Sequence, residues 1–129
     1  MHVVDTNVIS EMMKSRPSLR VGNALKLLDG LSVSVVSIDE ITYGWVHTPR
    51  PALERAFDAF LDRCVVLPVT KAIARRSGTM RALQRARGRV RHQADMLIAA
   101  TAAEHGAVLV TRNVRDFEGC GIRVLDPFG

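Results

Sequence analysis

The sequence predicts an α/β domain with a short, mostly parallel five-stranded sheet, and three observations predict it. Brief β-branched runs recur along the chain, helix-length patterns fill the gaps between them, and Pro or Gly stands where those helices should stop. Strands joined by helices rather than by tight turns must run parallel, because the crossover needs a dozen or more residues.

The strand runs are residues 1 to 5, 33 to 36 (VSVV), 64 to 67 (CVVL), 107 to 110 (AVLV) and 122 to 125 (IRVL). Helical patterns cover Val8 to Lys14, Leu19 to Leu28, Ile38 to Val46, Ala52 to Leu61, Ala72 to Arg87 and Gln93 to His105. In Leu19 to Leu28, Val21, Ala24, Leu25 and Leu28 fall at i, i+3, i+4 and i+7 and make one apolar stripe. In Ala72 to Arg87 the apolar face is narrower, formed by Ile73, Ser77, Met80, Ala82 and Leu83 and flanked by arginines. That helix is expected to dock on one side and stay cationic on the other. Pro17, Pro49 and Pro51 interrupt helical runs, while Gly88 and Gly106 end two of them.

A chain of 129 residues with 47% hydrophobic content suits one domain, residues 1–129, with its own core. The apolar stretch MLIAATAA falls well short of the roughly 18 residues that a membrane span needs, so a soluble, cytoplasmic protein is expected. Cys64 and Cys120 lie far apart without a CxxC spacing and read as buried thiols, not as a disulfide or a zinc site. His2, His47, His92 and His105 are scattered and read as surface or packing residues. His92 is the one reservation, three residues from Asp95.

Charge is unevenly spread. The segment between Asp62 and Asp95 holds nine of the 18 Lys and Arg and none of the 13 acids, which leaves the rest of the chain with a surplus of four negative charges. Such a basic region draws phosphate backbones through counterion release, whatever their sequence.

The acids occur where a parallel sheet presents its ligand-binding edge, beyond the carboxyl ends of the strands. Asp5 follows the first strand in VVDTN, Glu40 lies within the first turn or so of a helix in VSIDEITYG, Asp95 opens the helix in HQADMLIAATA, and Asp116 follows a strand in LVTRNVRDF. Each alone is explained by helix capping, the helix dipole or turn formation, worth about 0.5 to 2 kcal/mol. Together they would gather three or four carboxylates in a small volume. Two unit charges about 4 Å apart repel by about 4 kcal/mol at an effective dielectric near 20, a large fraction of a small domain's stability. A cation is needed, and carboxylates beside Thr6 and Thr111 form a hard, oxygen-rich set that favours Mg²⁺ or Mn²⁺ over Zn²⁺. Carboxylates holding such a metal beside a basic surface describe phosphodiester hydrolysis.

At these residues the sequence also resembles a known family. VVDTNVISE, DEITYG, ADMLIAATA and LVTRNVRDF look, in that order and spacing, like the motifs of PIN-domain ribonucleases, and most like the VapC-type toxins of bacterial toxin–antitoxin pairs. The resemblance covers essentially the whole chain and implies an α/β/α sandwich that cleaves RNA endonucleolytically with Mg²⁺ or Mn²⁺. By position, Asp5, Glu40 and Asp95 match the family's first three acids. The fourth falls on Asn113 in some members and three residues later in others, which favours Asp116 here, with Asn113 as a polar contact. Thr6 and Thr111 match hydroxyls that orient the carboxylates. Arg75, Arg76, Arg81, Arg85, Arg87, Arg89 and Arg91 are the expected RNA-binding residues. The resemblance further implies a homodimer and a VapB-type antitoxin that covers the active site and carries the contact with promoter DNA. Two departures stand out: Asp39 adds a charge beside Glu40, and the 47 to 54 region is shorter than in many relatives. The alternative expectation, from a different functional class, is a non-catalytic nucleic-acid-binding module that acts through its basic helix, with the acids serving as caps.

Overall fold

A computed structural model describes residues 1–129. Five three-residue strands, β1 (His2–Val4), β2 (Ser32–Ser34), β3 (Val65–Leu67), β4 (Val108–Val110) and β5 (Arg123–Leu125), form one sheet in the order β3-β2-β1-β4-β5. Every neighbouring pair is parallel. The helices are α1 (Thr6–Met12), α2 (Leu19–Lys26), α3 (Val35–His47), α4 (Pro51–Asp62), α5 (Lys71–Ala86) and α6 (Gln93–Glu104), with a 3-10 turn over Val114–Phe117.

The sheet separates two cores, because successive strand residues point to opposite faces. Val3 and Leu109 join Met96, Ile98, Ala99, Ala102 and Phe117 on the side of α6. Val4 and Val110 join Val8, Ile9, Val21, Leu25, Ile41, Phe57 and Phe60 on the side of α1 to α4. Both faces of the central strands are thus buried, giving three layers. The small residues of α6, Ala99 and Ala102, let that helix lie close on β1 and β4.

Three local expectations are corrected. The run VSVV is not all strand: β2 ends at Ser34, whose side chain accepts a hydrogen bond from the Val36 amide and starts α3 at Val35. The chain passes from strand to helix with no loop, so a β-branched run spans both elements. Glu40 therefore sits in the second turn of α3, which has no acid in its first turn. In α5 the buried stripe is Ile73, Ser77 and Gln84, with Met80 partly packed, while Ala82 and Leu83 are exposed. Gln84 goes inside because its Nε2 donates to the Glu118 carbonyl oxygen. As for the thiols, Cys120 is buried and Cys64 only half-buried.

The helix ends behave as the glycines suggest. After α5, Gly88 (φ 78°) lets its own amide reach the Arg85 carbonyl and the Arg89 amide reach that of Gln84, the paired bonds of a left-handed helix terminus. Gly106 (φ 60°) ends α6 in the same way, through the Ala103 and Ala102 carbonyls.

Candidate metal centre

Asp5 leaves β1 in extended conformation and caps α1, its Oδ1 accepting from the Thr6 amide at 2.8 Å. The β1–β4 register pairs Val4 with Val110, so the next residues, Asp5 and Thr111, also meet across the sheet. The Asp5 amide donates to the Val110 carbonyl oxygen, and Thr111 Oγ1 donates to Asp5 Oδ2 at 2.7 Å. Asn7 completes this cluster. Its Nδ2 lies 3.1 Å from Asp5 Oδ2 and 3.2 Å from Thr111 Oγ1, and its Oδ1 accepts from the Arg112 amide. Sequence reasoning does not reach Asn7, because an Asn in a first helical turn looks like any other; its position two residues after a capping Asp is the available signal.

Between α1 and α3, Thr6 Oγ1 donates to Glu40 Oε1 at 2.7 Å and lies 2.8 Å from Ser37 Oγ. Ser37, fully buried one turn before Glu40, is the second polar residue that the sequence does not single out. Asp95 occupies the first turn of α6, half-buried. Asp116 stands in the 3-10 turn beyond β4, where its amide bonds to the Asn113 carbonyl and its carboxylate lies 3.8 Å from the Arg91 guanidinium. Asn113 touches the cluster through its backbone, its amide donating to Thr111 Oγ1, while its residue as a whole is exposed. Asp39 is exposed beside Glu40.

Asp95 feels the charge of the other three acids. Asp95 is pushed up from an ordinary 3.8 to about 6, first by desolvation and then by the negative charges of Asp5, Asp116 and Glu40, with His92 pulling the other way. Burial also raises Asp5, although its hydrogen bonds from Thr111, Thr6 and Asn7 favour the charged form and offset part of that shift. Three of the carboxylates are anchored separately: Asp5 by Thr111, Glu40 by Thr6, Asp116 by Arg91. Accordingly, no three His, Cys, Asp or Glu side chains converge closely enough to hold a metal as they stand. The fit to a divalent cation is chemical: oxygen donors only, and three neighbouring negative charges that add to desolvation in raising the proton affinity of Asp95.

The seven arginines divide into two sets. Arg76 Nε pairs with Glu104 at 2.7 Å and ties α5 to α6, Arg89 donates to the Glu118 carbonyl, and Arg91 donates to the Arg115 carbonyl besides facing Asp116. The exposed side chains of Arg75, Arg81, Arg85 and Arg87 have no such partner.

The sequence model of the PIN domain matches residues 2–119. The chain belongs to the PIN-domain family. All four acids of this PIN domain fall inside the matched span. It is 31% identical to VapC ribonuclease Y4jK of Sinorhizobium fredii over 137 aligned positions, covering 99% of this chain and 98% of that one. It is also 31% identical to the tRNA(fMet)-specific endonuclease VapC of Shigella flexneri, over 92% of this chain and 91% of that one. Among solved structures, VapBC-1 from nontypeable Haemophilus influenzae superposes on this PIN domain with a TM-score of 0.86 at 26% identity, covering 99% and 98% of the two chains. No helix of the PIN domain is long and apolar enough to cross a membrane.

Proposed function

We propose that this chain is a divalent-metal-dependent endoribonuclease, the toxin of a VapBC-type pair. The observation that carries the reading is the convergence on Asp95, at the carboxyl edge of the sheet, of the charges of Asp5, Asp116 and Glu40, which add to desolvation in raising its proton affinity. Relatives over almost the whole chain are named as ribonucleases, one of them specific for a tRNA.

Asp5, Glu40, Asp95 and Asp116 would hold Mg²⁺ or Mn²⁺, which supplies a Lewis acid for the phosphoryl oxygen and lowers the pKa of a bound water. The remaining roles belong to the chain. Thr111 and Asn7 fix the Asp5 carboxylate, and Thr6 fixes that of Glu40, so the acids are oriented before substrate arrives. Arg75, Arg81, Arg85 and Arg87 offer unpaired charge to the RNA backbone, and the tied Arg76, Arg89 and Arg91 add to the field. The partner is a VapB-type antitoxin, in keeping with the VapBC assembly among the structural neighbours, and promoter DNA is met only through it. A cytoplasmic homodimer completes the proposal.

The test uses purified, antitoxin-free chain with RNA in Mg²⁺ or Mn²⁺, in EDTA, and with Asp5→Asn. Cleavage confined to wild type with metal supports the reading; cleavage that survives both EDTA and the substitution refutes it. The rival binding module draws on the fact that Asp5 caps α1, and it predicts salt-dependent RNA binding with no turnover under any of these conditions.

A further inference from the structure

A cavity of about 280 Å³ opens between α5 and the segment after it, lined by Gly78, Arg81, Ala82, Arg85, Val90 and Arg91. Water occupies about 30 Å³ per molecule in the liquid, so the space admits a hydrated phosphate group. Three of its six lining residues are arginines and none is acidic. Arg81 and Arg85 sit at i and i+4 on α5, where like charges repel, and neither has a carboxylate partner. Arg91 is mostly buried, and its Nε finds no acceptor.

Gly78 is the second sign. It lies mid-helix, where glycine is less favourable than alanine, and a Cβ built there meets nothing within 4 Å. No packing contact demands a glycine, and any side chain at this position would project into open space at the cavity. Arg91 joins the cavity to the acidic site, because the same side chain that lines it reaches Asp116 at 3.8 Å.

We infer that Arg81, Arg85 and Arg91, around the bare floor at Gly78, form a cup for one phosphate of an RNA backbone, placed beside the acids so that a neighbouring phosphodiester lies over them. The identity of the polymer rests on the ribonuclease reading; the cup's preference for phosphate rests on its arginines. Guanidinium groups match phosphate oxygens with paired hydrogen bonds. Arg81 and Arg85 hold the phosphate, and Arg91 links its occupancy to Asp116.

The test measures binding of the whole chain to a short, uncleavable 2′-O-methyl RNA strand by fluorescence anisotropy in EDTA across a salt series, so that neither metal nor turnover enters. The paired substitution Arg81→Ala with Arg85→Ala should weaken binding about tenfold. It should also flatten the slope of log affinity against log salt by about 0.7 for each phosphate that is no longer neutralised. Gly78→Glu should weaken binding comparably by filling the cup with opposite charge, whereas Gly78→Ala should melt no lower than wild type. Arg55→Ala, which removes an exposed charge from α4 across the sheet, should change affinity less than about twofold. Circular dichroism establishes that each variant is folded. Losses for the arginine pair no larger than twice those for Arg55→Ala, or hexaglutamate binding as tightly as the RNA strand, would overturn the cup. Normal cleavage by the cup variants alongside normal binding also counts against it. Impaired binding in a chain that never cleaves RNA supports the cup and refutes the nuclease reading instead.

Discussion

Thr111 Oγ1 donates a 2.7 Å hydrogen bond to Oδ2 of Asp5, joining two residues 106 positions apart at the end of adjacent strands. Both residues are buried, Asp5 at 3% exposure and Thr111 at 0%. A buried carboxylate stays charged only if it is well supplied with donors. Thr111→Val keeps the shape and removes the donor, so it should cost about 1 to 3 kcal/mol by urea denaturation near neutral pH. Thr111→Ser should recover most of that loss.

Asn7 bridges the same pair and takes the Arg112 amide, so its side chain stitches α1 to the loop after β4. Asn7→Ala should destabilise by about 1 to 2 kcal/mol in the same assay. It should also slow RNA cleavage, because the Asp5 carboxylate loses one of the groups that orient it. Unchanged stability would show that the amide contributes no net support.

The raised proton affinity of Asp95 makes stability depend on pH in a defined direction. The folded chain releases this proton at about 6 and the unfolded chain at an ordinary 3.8. Folding therefore binds the proton more tightly, and the stability it contributes is fully present below about pH 4 and lost as pH rises through about 6. In EDTA, Asp95→Asn should raise stability at about pH 8 by roughly 1 to 2 kcal/mol after allowance for solvent screening, and should change little near pH 4. Thermal melts at the two pH values check this; a variant that melts below wild type at the higher pH contradicts it.

Much of the fold is legible because the strands are short β-branched runs separated by helical periodicity, and the acids are legible because they punctuate those strands. What is not legible depends on phase and on distance. Val35 and Val36 have strand character yet open α3, since the Ser34 cap ends the strand before the apolar run does. Leu83 and Gln84 exchange expected places because the Glu118 carbonyl, arriving from 34 residues along the chain, takes the Gln84 Nε2, although the buried Oε1 is left without a partner. Asn7 and Ser37 are invisible as site residues because their partners lie far along the chain. The division of the arginines into paired and free sets likewise depends on Glu104, Glu118 and Asp116 arriving from elsewhere.

The central claim is that the four acids form one cation site, and calorimetric titration of Mn²⁺ into the metal-free chain tests it most directly. Wild type should bind Mn²⁺ at about pH 7.5 and more weakly as pH falls through about 6, because the cation and a proton compete for Asp95. Asp95→Asn should bind at least about tenfold more weakly. Absence of binding by wild type, or equal affinity in the variant, would contradict the account.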